Sequence, residues 1–263
     1  MTSMRNPNLT FIVNAIKAAG GKTPKAITEA VDAQARILEE ARKARGTVQG
    51  YEALALAWAN AVLEGRDPAD DRDVFRAMLS NSLADGDIEY AATNAVTARA
   101  IEGITNSQDE ILALLKKAFD EAGRTLTNAH SILGAISLDN TTAIFQLGPV
   151  AVQAYQDAQE ARRITRLIDN GWTGMNNITQ FAGSCEHVTR WADTGITTWE
   201  RMRRSKDTWD MTVAGATLNL AIDRATIHQR TARIANEREE RDTAPERTER
   251  AKRINYLTGT ALS

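Results

Sequence analysis

Apolar residues recur along most of the chain at three- and four-residue steps, the period of a helix with one buried face. The longest such run lies between about Ile196 and Asn236. Trp199, Met202, Trp209, Val213, Ala216, Leu220, Ile227 and Ile234 fall there on one seam, at those steps or their multiples. Read as a single helix, such a segment spans roughly 60 Å, about twice the length of a 20-residue helix. A seam of that length exceeds what one small bundle covers, so it is expected to pack against a second subunit. Lys206, Asp223 and Arg230 interrupt it, as polar groups do where they fix register.

Upstream, the pattern predicts a helix near Asn8–Ala19 that stops at Gly20-Gly21, and a second that restarts at Thr23-Pro24 and ends at Gly46. Ile27, Ala30, Val31, Leu38 and Ala41 form the stripe of this second helix. An Ala/Leu-rich helix covers Tyr51–Leu63 and carries Trp58, followed by an Asp- and Pro-rich loop from Gly65 to Asp71. Helices near Asp71–Leu83 and Asp87–Ile104 come next. Ser107-Gln-Asp-Glu110 reads as a capping box opening a strongly amphipathic helix through Leu133. Gly134–Leu147 is the least regular stretch and the expected bend between two halves, residues 1–134 and 135–263. Within it, Ala143–Leu147 has a strand-like composition. Helices from Pro149 to Asp169, closed by Asn170-Gly171, and from Asn176 to Asp193 lead into the long seam. Thr243-Ala-Pro-Glu246 reads as the cap of a last short helix. The expectation is an all-α, multi-helix bundle of roughly nine or ten helices with a long C-terminal helix and a charged tail.

Composition agrees with that picture. Apolar content of 43% with only 5% aromatic residues suits close-packed, alanine-rich helices better than a sheet core. A net charge of -2 gives no global attraction to nucleic acid or anionic lipid. One cysteine, Cys185, excludes an internal disulfide framework, and no run approaches the ~20 apolar residues of a membrane span. A soluble, cytoplasmic or virion-incorporated protein is the expectation.

Candidate chemistry is sparse. Gly20-Gly21-Lys22-Thr23 lacks the earlier glycine, the preceding strand and the uninterrupted helix of a phosphate-binding loop. His130, His187 and His228 stand outside Glu-x-x-His and His-x-x-x-His spacings, so no metal or cofactor is expected. Cys185 and His187 are two apart, a poor pairing on one helix, and Cys185 lies on an apolar stripe. Trp172, Trp191, Trp199 and Trp209 cluster in one stretch, as core, subunit interface or ligand pocket. From Glu200 to Arg253 there are 13 Lys/Arg against 10 Asp/Glu, a net of +3, closer to an ion-paired surface than to a phosphate-tracking stripe.

Near the N-terminus, a helix, the Gly-Gly turn, a Thr23-capped helix and the cations Lys22, Arg36, Arg42, Lys43 and Arg45 loosely resemble the opening of a winged helix-turn-helix domain. That resemblance implies a DNA-binding regulator with C-terminal dimerisation helices. Glu39 and Glu40 stand among those cations, and the helical period runs on past Val31 without a turn. The favoured expectation is a non-enzymatic structural or assembly protein, of virion-assembly, scaffold or secretion-associated type. It would act by helix–helix contact with itself or with another helical protein, without a membrane.

Overall fold

The structure, a computed structural model, describes the fold of residues 6–46, 50–85 and 87–258 and the side chains of residues 6–43, 51–82 and 89–244. It is all-α: twelve helices and no strand occur among the described residues. In chain order they are α1 (Pro7–Ala18), α2 (Lys25–Gly46), α3 (Gly50–Leu63), α4 (Arg72–Asp85), α5 (Asp87–Asn106), α6 (Gln108–Leu133), α7 (Thr141–Gln146), α8 (Pro149–Thr179), α9 (His187–Trp191), α10 (Ile196–Met202), α11 (Thr208–Val213) and α12 (Arg224–Thr258). No helix among the described residues is long and apolar enough to cross a membrane.

The chain divides into two compact units. One holds residues Met1–Thr10 and Lys22–Gln108, the other Phe11–Gly21 and Asp109–Ser263. The boundary near residue 108 lies ahead of the bend anticipated at Gly134–Leu147, because the buried stripe of α6 is covered from the C-terminal side. Leu218 packs on Gly123, where an added Cβ would come within 2.8 Å of the Leu218 Cβ. The strand-like Ala143–Leu147 is instead part of α7, whose first turn is capped by the Asn140 side chain accepting from the Ala143 amide at 3.2 Å.

The first unit is α2 to α5. Among the described side chains its interior combines small groups, Ala30 and Ala41 of α2, Ala61 of α3 and Ala100 of α5, with Leu9, Ile27, Val74 and Ile104 as the larger members. Gly103 lets α5 approach α2 closely, since a Cβ there would lie 2.7 Å from the Ala26 Cβ.

The second unit is larger and fully cored. Ile111, Leu115, Phe119, Leu126 and Leu133 of α6 are buried, as the amphipathic pattern requires. Among the described residues no side-chain hydrogen bond of Ser107 or Glu110 closes the anticipated capping box, and Ser107 lies in the turn before α6. Helix α8 runs straight through Asn170-Gly171, the pair expected to end it. Gly171 serves packing rather than termination: an added Cβ would collide with Ala15 of α1. Its true end is Gln180, in the left-handed conformation (φ 56°), and the stretch expected to be one helix from Asn176 to Asp193 is divided by the loop 180–186 into the end of α8 and the short α9.

The long C-terminal helix is present as α12, 35 residues from Arg224 to Thr258, but it does not run unbroken from Ile196. The span from Ile196 is divided into α10, α11, an extended segment at residues 216–222, and α12. Each break has a local cause. Asp207 caps α11, accepting from the Trp209 amide at 2.9 Å. Gly215 (φ 84°) ends α11, with the Ala216 amide returning to the Met211 carbonyl at 3.0 Å. Asp223 caps α12, accepting from the Thr226 amide and hydroxyl at 2.7 Å each, and these bonds hold its carboxyl below the usual aspartate range. Conversely, α12 continues through Pro245, where a new helix was expected to start. The Thr243 hydroxyl bonds back to the Glu239 carbonyl at 2.9 Å instead of capping forward.

The extended segment is the hinge pin of this unit. Leu218 bridges antiparallel to Ala192, and the Asn219 and Ala221 amides donate to the Trp191 and Arg190 carbonyls at 2.7 and 2.8 Å. Asp120 accepts from the Leu220 amide at 2.9 Å, Lys116 donates to the Leu220 carbonyl at 3.1 Å, and the Trp172 indole donates to the Ala221 carbonyl at 2.8 Å. A non-helical segment inside a helical core survives because its backbone groups are paired in this way.

Candidate interaction surface

The residues expected to form an intersubunit seam are folded into their own protomer. Trp199, Met202, Trp209, Ala216, Leu220, Ile227 and Ile234 are buried and Val213 is half-buried. Arg230, expected to fix register between subunits, donates to the carbonyls of Thr189, Arg190 and Asn219 at 3.0, 3.3 and 2.9 Å. It also donates to the Asn219 side chain at 2.8 Å. The tryptophan cluster is core. The Trp191 and Trp209 indoles donate to Asp169 and to the Ile136 carbonyl at 2.6 and 3.1 Å, and Trp199 lies between the guanidinium groups of Arg203 and Arg238. The charged middle of α12 is paired within the protomer as well: Arg241 bonds Glu200 of α10 at 2.7 and 3.0 Å.

The nucleic-acid alternative gains no recognition helix. Helix α2 is unbroken from Lys25 to Gly46, so no turn separates a second helix from a third. Lys22, Arg36, Arg42 and Lys43 are exposed, but Lys43 pairs with Glu39 and Glu40 at 3.0 and 2.9 Å, which pushes its ammonium up to about 12. The side chain of Arg45 lies outside the described residues.

Among the described residues no three His, Cys, Asp or Glu side chains converge as metal ligands. His130 stands edge-on to Trp209, and His228 is exposed. His187 bonds through Nε2 to the Ser205 carbonyl at 2.5 Å. Burial pushes the Cys185 thiol up, the opposite of an activated nucleophile.

What stands out is where the first unit keeps its large apolar groups. Helix α3 has one charged residue, Glu52, in its 14 positions, so it has no polar face to turn to water. Alanines at 53, 57 and 61, with Leu54, face the interior. Tyr51, Trp58 and Val62 form one exposed stripe, and Leu56 and Leu63 its neighbour, with Leu63 82% and Trp58 53% accessible. On α4, Phe75, Met78 and Leu79 share a face by their three- and four-residue spacing and are also exposed. Small residues inside and large ones outside invert the usual order of burial.

The hairpin that presents these groups is firmly built. Gly65 (φ 72°) ends α3, and the Arg66 amide returns to the Ala61 carbonyl at 2.8 Å. The buried Asp71 caps α4, accepting from the Asp73 and Val74 amides at 2.9 and 3.1 Å, and its carboxylate is paired with Arg66. Comparison with protein-family models, curated proteins and solved structures gives no match.

The surface is large enough to matter. At 150–250 Å² per ring, Tyr51, Trp58 and Phe75 alone expose on the order of 400 Å², comparable to the largest patch on a typical monomer. Adding the five aliphatic side chains brings the hairpin to roughly the 800 Å² per partner of a standard protein interface. The Ala/Leu-rich helix expected at Tyr51–Leu63 is α3, and nothing in that expectation assigned its large residues to an exposed face. The signal for exposure was present in the absence of any polar stripe on a helix flanked by polar loops.

Proposed function

We propose that this chain is a non-enzymatic helical assembly protein that associates with a second copy of itself through the α3–α4 hairpin. The observation carrying this reading is the uncharged, large-residue face of α3. Such a face suits an equally apolar partner, and a second α3 is one. Pairing about a two-fold axis makes the patch complementary to itself, and two hairpins together form a four-helix bundle. Ala55 and Ala59, exposed between the larger groups, leave hollows into which Leu56 or Leu63 of the other copy can fit. Glu64 and Arg66 of the hairpin loop and Asp73 in the first turn of α4 give the interface a polar rim.

Light scattering on the intact chain is expected to report a dimer or a closed multiple of it. Leu56→Glu combined with Leu63→Glu should yield a monomer with an unchanged helical signal, because both side chains project into solvent in the isolated protomer. Leu220→Glu, at a fully buried position, should unfold the second unit instead. A wild-type chain that remains a monodisperse monomer at about 100 µM, a concentration that would reveal even weak micromolar pairing, overturns the proposal.

A further inference from the structure

The second unit contains a cleft of about 810 Å³ between α8 and the segment from Cys185 to Thr208. Its α8 wall is polar at helical spacing, with Arg162, Arg166, Asp169, Asn170 and Thr173 all turned toward the cleft. A packing defect in a helical core would be lined by aliphatic groups, and a solvated helix face would have no opposing wall.

The charges divide into a paired floor and an unpaired mouth. Arg190 meets Asp169 at 2.6 Å, and Asp169 also accepts from the Trp191 indole. Arg162 forms two bonds to Asp207, and the Thr165 and Thr208 hydroxyls pair at 2.9 Å. These contacts fix the floor, so a ligand spends little on ordering it. Among the described residues Arg166 and Lys206 make no ion pair, and Arg203 stacks on the Trp199 ring and lies in the field of Glu200, outside the cleft lining. Against these three cations stands one uncommitted carboxylate, Glu186. Five Lys and Arg side chains and three carboxylates line the cleft in all, an excess of two cationic side chains.

We infer that this cleft binds a small phosphate-bearing dianion. A phosphomonoester carries about -1.5 to -2 at neutral pH, matching the excess, and three acceptor oxygens suit a guanidinium–ammonium trio. The cleft is concave and of the 300–1,000 Å³ size typical of small-ligand sites, which favours a compact ligand over a polymer backbone.

Calorimetric titration of the full chain with glycerol phosphate, with inorganic pyrophosphate and with a single-stranded oligonucleotide tests this, ionic strength being held constant with sodium chloride. Both small anions are expected to bind saturably, with a Kd below about 1 mM. Arg166→Gln with Lys206→Gln should weaken them about tenfold or more without moving the melting temperature of the unliganded chain. Arg203→Gln alone should weaken them by a smaller factor. Absence of saturable binding by the small anions overturns the inference, as does affinity indifferent to these substitutions. Oligonucleotide binding that depends on the same residues, with no phosphomonoester binding, overturns it in favour of a polymer.

Discussion

Replacing Arg230 by methionine is expected to remove about 3–5 kcal/mol from the stability of the second unit, although the new side chain is nearly as long and more apolar. Arg230 is 5% exposed, and its guanidinium serves the carbonyls of Thr189, Arg190 and Asn219 and the Asn219 amide oxygen. These acceptors belong to two segments that meet here; the Arg190 carbonyl also takes the Ala221 amide, and the guanidinium supplies donors to the Thr189 and Asn219 carbonyls and the Asn219 side chain. Burial lowers the affinity of Arg230 for its proton, and the carboxylates of Asp193 and Asp120 oppose that effect. Lysine should recover only part of the loss, because one ammonium cannot reproduce the spread of a planar fork. Thermal unfolding is the readout: a drop of roughly 10 °C is expected, against less than about 2 °C for Arg201→Met on the exposed face of α10. A small drop for Arg230→Met would mean that the extended segment is held by its own backbone bonds alone.

Trp172→Ala should have an effect of similar size, about 3–5 kcal/mol, from a different cause. Trp172 is among the largest fully buried side chains and packs edge-on to Phe181 at 5.0 Å, with the Arg190 guanidinium 4.6 Å from its ring. Truncation opens a large cavity and leaves the Ala221 carbonyl without its donor. Trp172→Phe separates the two effects. It keeps most of the packing and loses the hydrogen bond, so its cost should be about 1–3 kcal/mol. Near-equal costs for the two variants would place the whole contribution in the hydrogen bond, and a phenylalanine variant as stable as wild type would place it in packing.

Both residues show what the chain's pattern could and could not reveal. Helix type and approximate extent were legible for α1 to α6: α1, α2, α4 and α6 show a 3.6-residue apolar period, whereas α3 and α5 were legible from alanine-rich composition between Gly, Pro and Asp punctuation. Helix-period spacing failed between Ile196 and Asn236. Residues seven apart face the same way on a helix, but they also return to one core after a loop of suitable length. Met202 and Trp209 do this across the Ser205–Asp207 turn, and Leu220 and Ile227 across the Asp223 cap. The punctuation was there in Asp207, Gly215 and Asp223, and the apolar count outweighed it. Gly171 failed in the opposite sense, since a glycine needed for the approach of Ala15 has the same letter as one that ends a helix. The exposed face of α3 was hidden for a further reason: periodicity identifies a stripe that needs cover, not whether this chain supplies the cover.

The emission of Trp58 reads that cover directly. The other four tryptophans are buried, and Trp58 alone is more than half exposed in the isolated protomer. Acrylamide quenching of the intact chain, measured from nanomolar to about 100 µM, spans the range in which an interface of roughly 800 Å² per partner should form. A quenchable fraction that falls with rising concentration, and that stays constant in the Leu56→Glu, Leu63→Glu variant, is the expected result. A quenchable fraction that is the same at every concentration would contradict self-association through α3.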